Sequence, residues 1–389
     1  MRDKLVRITT VPQSLFKLLE GQIGYMNSIY DVTIVSSSGE LLDKAAAREG
    51  VPSYSVEMNR GMSPAKDIVS LLKLIMLLRK LKPTIIHTHT PKAGLLGMIS
   101  GMIVGVPIKL HTVAGMPLET RKGLKKKLLL LMEKLCYSVA DKVYPNSDSL
   151  YDFIINNKLS ISSKLKVIGG GSSNGIDIGY FKRSSQLELE SANIKKSLGL
   201  VENDVVIGYV GRLTSDKGIN ELVDSFLELS SIKENIYLLL LGKFEQDQDP
   251  ISDSSKLSIE TNPKILFVGY QSDVRPYFMA MDLFAFPSHR EGLPNVLLQA
   301  GAMDLPIVTT NASGCRDVIN SDKVGMKYSC GNRDQLFSSM KKLIDDKTLR
   351  TVYSKNIRKS IIDRFSRDKI WLELEKEYSR LINQVESNV

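Results

Sequence analysis

Residues 205–218 read Val-Val-Ile-Gly-Tyr-Val-Gly-Arg-Leu-Thr-Ser-Asp-Lys-Gly. A β-branched and aromatic run ends in Gly211, Arg212 follows at once, and Lys217 stands five positions later, where a helical pattern begins. This is a strand feeding a helix through a polar turn, and the same unit recurs along the chain. Before it, strand-like runs fall at Leu5–Thr10, Asp31–Ser36, Thr84–Thr88, Ile108–Thr112 and Lys142–Pro145, with an amphipathic helix from Pro64 to Lys82. From it onward they fall at Val205–Gly211, Tyr237–Leu241, Lys264–Val268, Leu283–Phe286 and Pro306–Thr310. Short strands alternating with helices specify parallel sheets wrapped by helices. The expected architecture is α/β: two successive doubly wound domains, residues 1–170 and 171–364, with a cleft between them. A strand at Lys164–Ile168 leads into Gly169-Gly-Gly-Ser-Ser-Asn-Gly175, which reads as a flexible hinge. The segment from about Arg364 to Val389 reads as one long charged helix, with residues 365–389 packing back on the first domain.

The 389 residues suffice for two domains that each bury a core, and 43% hydrophobic with 24% charged content is that of a folded chain. The longest apolar stretches, Leu71–Leu81 and Leu128–Leu135, are broken by Lys73, Arg79, Lys80, Glu133 and Lys134, short of the ~20 residues a membrane span needs. Met1 passes into a strand-like run with no apolar leader, so no signal peptide is expected. Three scattered cysteines make neither a disulfide framework nor a zinc site and suit a reducing cytoplasm. The net charge of +9 is uneven. Residues 1–170 carry 24 Lys/Arg against 13 Asp/Glu, whereas residues 171–389 carry 28 against 30. A basic half implies an anionic partner, either nucleic acid or an anionic membrane. The densest basic stretch, Arg121-Lys-Gly-Leu-Lys-Lys-Lys127, runs into Leu128–Met132 with no aromatic residue to stack on bases. A basic segment merging into an apolar one is instead how a peripheral protein docks on an anionic leaflet.

Ligands of open α/β sheets bind outside the carboxyl ends of the strands, which selects the polar residues to take seriously. The strongest cluster is Phe286-Pro-Ser-His-Arg-Glu-Gly-Leu-Pro-Asn-Val-Leu-Leu-Gln-Ala-Gly301. A helix starting near Asn295, read as its N-cap, would leave the amides of Gly292, Leu293, Pro294-Asn295 and Val296 to form an anion site. Glu291 at its rim would accept hydrogen bonds from hydroxyls, and Gln299, a turn inside, would reach a second ring. In the 205–218 cluster, Gly211 lets the chain turn, Arg212 offers a planar fork and Lys217 a point charge, the pair suited to a pyrophosphate.

The pattern Gly211-Arg-x4-Lys-Gly218 followed by Glu291-Gly-Leu-Pro-Asn295 resembles the family-4 retaining glycosyltransferases of GT-B fold, in which two Rossmann-like domains face a central cleft. The resemblance extends over essentially the whole chain, including Asn174-Gly-Ile-Asp177. Thr9-Thr-Val-Pro-Gln-Ser14, His87-Thr-His-Thr-Pro-Lys-Ala-Gly-Leu-Leu-Gly97 and Leu110-His-Thr-Val-Ala-Gly115 are similar to the bacterial branch that builds capsules and O-antigens. That branch moves sugars, often N-acetylated amino sugars, from UDP donors onto undecaprenyl-diphosphate-linked acceptors at the cytoplasmic face of the inner membrane. The resemblance implies that Arg212 and Lys217 hold the donor diphosphate, Glu291 the donor sugar, and residues 292–296 the sugar and distal phosphate. His111 would contact the donor sugar from the first domain. Gln299 departs from the family, which has a second glutamate there for the ribose hydroxyls.

The implied chemistry needs no metal and no cofactor beyond the UDP-sugar substrate. Arg212, Lys217 and helix amides would stabilise the leaving diphosphate, and the single Asp-x-Asp, Asp247-Gln-Asp249, reads as solvated surface. Retention without an evident nucleophile points to front-face attack, with double displacement ranked second. On the acceptor side, Gln13, His89 and Lys92 are the candidates, with Lys92 and nearby amides holding a phosphate. A UDP-N-acetylhexosamine 2-epimerase of GT-B fold and a non-catalytic sugar-nucleotide binder are the alternatives. A dinucleotide dehydrogenase is set aside because no Gly-x-Gly-x-x-Gly follows the first strand.

Overall fold

The computed structural model describes residues 2–59, 61, 63–115, 123–245 and 249–387, except the side chains of Leu124 and Lys125. It divides into two compact units, residues 1–175 with 367–389, and residues 176–366. In the first unit the strands are β1 (Lys4–Thr9), β2 (Asp31–Ser36), β3 (Ser53–Ser55), β4 (Ile85–His89), β5 (Ile108–Val113) and β6 (Lys142–Pro145). In the second they are β7 (Val205–Val210), β8 (Ile236–Leu241), β9 (Ile265–Phe267), β10 (Leu283–Phe286), β11 (Ile307–Thr310) and β12 (Met326–Tyr328). The sheet orders are β3-β2-β1-β4-β5-β6 and β12-β11-β10-β7-β8-β9, and every pairing between these strands is parallel. Each sheet is doubly wound, with a switch in strand order beside its first strand.

Continuous apolar runs make these strands, because helices cover both faces of a parallel sheet. In Ile236–Leu241, five of the six residues are buried. Helix Pro91–Val104 packs closely on the first sheet because Gly94, Gly97 and Gly101 face His111, Thr88 and Ile86, where an added Cβ would collide. The three-residue edge strands β3 and β12 are absent from the sequence reading, since neither has an apolar run to mark it.

Two further expectations are corrected, and one boundary moves. Residues 164–168 are not a strand: Leu165 makes one isolated bridge to Val143. The last segment is one long charged helix as expected, Arg367–Glu386, and it starts three residues later than Arg364 because Ser366 turns extended, bridges to Ile176 and separates it from helix Lys347–Phe365. Gly169–Gly175 is a packed turn rather than a flexible hinge. The Ser172 amide donates to the Asn146 carbonyl (2.7 Å), and Ser172, Ser173 and Asn174 are buried. Asn174 is gripped from three sides, by Trp371 Nε1 (2.7 Å), Gln22 Nε2 (3.2 Å) and the Glu20 carbonyl (2.9 Å).

The returning helix Arg367–Glu386 closes the first unit. Its Ile370, Leu374, Tyr378, Leu381 and Ile382 repeat at helical spacing and join the core of β1 and β2. Charged ends anchor it: Glu373 accepts from the Gly169 amide (2.8 Å), and Glu377 meets Lys166 (2.6 Å) and Arg380 (2.7 Å).

Gly171 has φ +97°, and a Cβ there would overlap the Asn146 carbonyl oxygen. We expect Gly171→Ala to destabilise the first unit by about 2 kcal/mol, through left-handed strain and this overlap. Urea unfolding followed by fluorescence of Trp371, the single tryptophan, checks it. An unchanged midpoint contradicts the close approach.

Candidate functional site

In the second unit, parallel pairing of β7 with β10 sets the two motif turns side by side at one edge of the sheet. Residues Ser215–Lys217 form a 3₁₀ turn, and Gly218 follows at φ +71°. The turn lies so close to the end of β10 that a Cβ on Gly218 would overlap the Pro287 carbonyl. The two turns are joined by backbone and side chain alike. The His289 amide donates to the Asp216 carbonyl (2.9 Å), and the Arg290 guanidinium reaches Asp216 Oδ2 (3.1 Å). Lys217 Nζ lies 2.6 Å from Glu291 Oε1 and 3.4 Å from Ser288 Oγ, and Ser288 Oγ donates to Glu291 Oε1 at 3.0 Å. Thr310 on β11 holds the Ser288 carbonyl at 2.5 Å.

Lys217 is therefore not a free point charge, and its carboxylate partner is the residue expected at the sugar. Both bonds to Glu291 fall on Oε1, so Oε2 remains as an acceptor. Arg212 is exposed, bonds Glu245 at 2.8 Å, and lies near enough to Asp216 and Glu291 to feel their charges. Burial raises the Asp216 pKa, but the Thr214 hydroxyl and the charges of Lys217, Arg290 and Arg212 more than offset this and hold it low.

The helix after the second turn is Asn295–Ala302, and its cap is Pro294 rather than Asn295. Gly292 and Leu293 bend the chain and Pro294 is extended (φ −76°, ψ 106°), which makes exposed Asn295 the first helical residue. Pro294 has no side-chain acceptor, so the first-turn amides of Asn295 and Val296 are left to other partners. Gln299, half-buried, lies one turn inside. Asp247 lies outside the described residues. Asp249 is exposed and also clamps the first turn: its carboxylate accepts from the Asp216 amide (2.6 Å) and its carbonyl from the Ser215 amide (3.0 Å).

The first-unit candidates are dispersed. His111 lies inside β5 rather than at its end, 1% exposed, with Nδ1 2.8 Å from Thr88 Oγ1 and its pKa drawn down to about 4 by burial. His89 is equally buried against Arg7 (2.9 Å). Lys92, read as a phosphate ligand, is buried and committed to Asp67 at 2.5 Å. Gln13 is exposed at the start of the π-turn Ser14–Leu18. The sequence reading missed Arg7, although a charge inside Leu5-Val-Arg-Ile8 is the signal of a buried polar network.

One pair at the second-unit site titrates. His289 Nε2 lies 2.7 Å from Glu221 Oε1. That hydrogen bond raises the His289 pKa above 6.5 against the effect of burial. Burial, the largest single influence, raises the Glu221 pKa, yet the His289 hydrogen bond, a backbone hydrogen bond and the His289 charge together outweigh it and leave the group below 4.5. A raised histidine stabilises fully below its unfolded pKa and loses this as pH rises through the folded one. A depressed carboxylate stabilises above its unfolded pKa and loses this as pH falls through the folded one. The pair thus contributes most between about pH 4.5 and 6.5. Thermal unfolding of His289→Gln against wild type should show its largest Tm deficit in that window, shrinking above it. A deficit independent of pH means that the pair is not ionic.

The group 1 glycosyl transferase family matches residues 190–360, and the glycosyl transferase 4-like domain matches residues 24–171. The capsular polysaccharide biosynthesis glycosyltransferase CapM of Staphylococcus aureus is 37% identical over 385 residues, covering 99% of each chain. The UDP-Gal:alpha-D-GlcNAc-diphosphoundecaprenol alpha-1,3-galactosyltransferase of Escherichia coli is 28% identical, covering 87% of this chain and 86% of its own. In fold, the crystal structure of Anabaena HepE in complex with UDP matches with a TM-score of 0.81 at 17% identity, over 97% of this chain and 100% of that one. Two doubly wound units, the paired motif turns and a relative matched along nearly its whole length lead to one conclusion: the chain belongs to the group 1, family-4-like glycosyltransferases of GT-B fold.

Proposed function

We propose that this glycosyltransferase retains configuration and moves a hexose from a UDP-sugar to an undecaprenyl-diphosphate-linked acceptor in capsule or O-antigen synthesis. The observation that carries the reading is the convergence of Lys217, Ser288 and Glu291 beside the helix start at Asn295. Breaking the anomeric C–O bond leaves positive charge on the sugar and negative charge on the departing diphosphate. The Lys217 ammonium has three donors, so it serves Glu291 and a phosphate oxygen together. Arg212 and the amides of Asn295 and Val296 add fixed positive charge where the leaving group forms. Glu291 Oε2 accepts from a sugar hydroxyl. The acceptor oxygen bonds to the anomeric carbon on the face that the diphosphate leaves, and its proton passes to a diphosphate oxygen. These groups do the work of a metal, so the reaction is read as metal-independent. An N-acetylated amino sugar is the proposed donor, from the branch that the N-terminal motifs resemble. The E. coli relative's UDP-Gal belongs in the same test panel.

UDP release over a panel of UDP-sugars, with a short-chain N-acetylglucosaminyl-diphospho-lipid as acceptor, tests the reading. Lys217→Ala and Glu291→Ala should each lower kcat/KM at least about 100-fold, or ~2.7 kcal/mol. Turnover should persist in excess EDTA. Near-wild-type turnover of either variant, or loss that Mg²⁺ or Mn²⁺ restores, contradicts the mechanism.

The acceptor lipid requires a membrane surface, and we place it at the basic first unit. Among the described residues no helix is long and apolar enough to cross a bilayer. Helix Gly123–Val139 exposes Leu128, Leu131 and Leu135 at 44%, 64% and 46%. Exposed Ile68, Leu72 and Met76 form a second stripe on helix Pro64–Leu81, and helix Pro91–Val104 packs against both. Lys127 and Lys134 stand exposed on the same helix as the leucines. Arg121, Lys122 and the Lys125 side chain lie outside the described residues. Neutralising Lys122, Lys125, Lys126 and Lys127 to Gln should weaken binding to anionic liposomes by up to about 4 kcal/mol at low salt. UDP affinity and turnover of the short-chain acceptor should be unchanged. Undiminished co-sedimentation of the variant removes the membrane role.

A further inference from the structure

Arg7 is fully buried in β1, and among the described residues none of its partners is a carboxylate. Its guanidinium donates to Tyr378 Oη (2.9 Å), Gln22 Oε1 (2.5 Å) and His89 Nε2 (2.9 Å). Arginine has donors only, so each bond has one direction and sets the next. His89 Nε2 must accept, which leaves the proton on Nδ1. The Tyr378 hydroxyl, which accepts from Arg7, also bonds His87 Nδ1 (2.5 Å), and His87 Nε2 bonds Thr112 Oγ1 (2.7 Å). One buried cation thereby fixes the His89 tautomer and joins a network of two histidines, a tyrosine and a threonine.

The ordered groups end at a cavity of about 20 Å³ that His89, Thr112, Asn146 and Ser173 help to line. Three of its side-chain atoms are buried with no partner among the described residues: His89 Nδ1, Asn146 Oδ1 and Ser173 Oγ. Asn146 Nδ2 is already spent on the Ala114 carbonyl, so its oxygen is the free end. The volume suits a single oxygen atom. One fixed donor, one fixed acceptor and one hydroxyl together match a neutral O–H, whereas an anion would meet the Asn146 lone pairs. His89 and Thr112 lie at the carboxyl ends of β4 and β5, and Asn146 directly follows β6, where open α/β sheets bind ligands.

We propose that this cavity is a subsite for one hydroxyl of the carbohydrate acceptor, which accepts from His89 Nδ1–H and donates to Asn146 Oδ1. The proposal rests on the glycosyltransferase reading above and gives its acceptor a specific contact. The subsite orients and does not deprotonate: the His89 basic nitrogen faces Arg7, and burial and the Arg7 charge hold its pKa well below the usual range.

Ser173→Val places two methyl groups toward the cavity at a backbone position without left-handed strain. With the short-chain N-acetylglucosaminyl-diphospho-lipid, it should raise the acceptor KM about tenfold or more, the loss of about one and a half hydrogen bonds. Ser173→Ala, which leaves the space open, should change KM less than about threefold. UDP affinity by calorimetry should match wild type for both. An unchanged acceptor KM in Ser173→Val means that the cavity holds water only and overturns the proposal. Absence of transfer by the wild type, by contrast, overturns the glycosyltransferase reading and this subsite with it. The polarity has its own readout, since the chain has four histidines. Side-chain ¹⁵N NMR of the full chain should show His89 neutral and protonated at Nδ1, and an Nε2-protonated ring overturns the assignment.

Discussion

Parallel pairing of the central strands is the constraint on which the rest depends. A parallel ladder aligns all carboxyl ends on one edge, and β7 beside β10 brings together two turns more than seventy residues apart in sequence. Once the turns are neighbours, the remaining details are local. Gly218 lets the 3₁₀ turn press against Pro287, the Asp216 carbonyl takes the His289 amide, and Lys217 comes within 2.6 Å of Glu291. Slipping β10 by one residue would exchange the helix layers that its buried side chains meet and separate these pairs.

The two units use the same strand order for opposite electrostatic arrangements. The second unit places its charges at the rim, where each has a partner of opposite sign: Lys217 with Glu291, Arg290 with Asp216, Arg212 with Glu245 and His289 with Glu221. Such partly solvated pairs can exchange one ligand for another without stranding a buried charge. The first unit buries a single guanidinium among neutral groups. His87 and His89 are held uncharged by burial and by Arg7, so the network orders hydrogen bonds rather than moving charge. Adaptable charge at one sheet edge and fixed polarity at the other suit a diphosphate and a hydroxyl, respectively.

The chain's last helix has a role that its charged surface conceals. Tyr378 reaches Arg7 and His87, while Trp371 holds Asn174. A C-terminal element therefore completes the network next to β1 and β4 and locks the turn that precedes the second unit. Removing it would expose the face of the first core and leave Arg7 without one of its three partners.

Local chemistry was enough to read the α/β class, the parallel sheets and the two motif turns. Strand runs such as Ile236–Leu241 are apolar on both faces, and the glycines and charges of 211–218 and 286–296 are confined to turns. The same local signals misled where the partner is distant. Gly171 looks flexible in sequence, but only the approach of Asn146 shows that it is a fixed left-handed turn. Lys92 looks like a phosphate ligand until helix Pro64–Leu81 brings Asp67 against it. Asn295 looks like a cap, yet the fixed φ of Pro294 takes that place. Period and composition determine which segments become strands, helices and turns, because those preferences act between near neighbours in the chain. Which charges pair, which histidines are neutral and where an unpaired donor faces a cavity are decided only by the tertiary structure. Each depends on side chains tens to hundreds of residues apart, as with Arg7 and Tyr378, and on the burial that their packing creates.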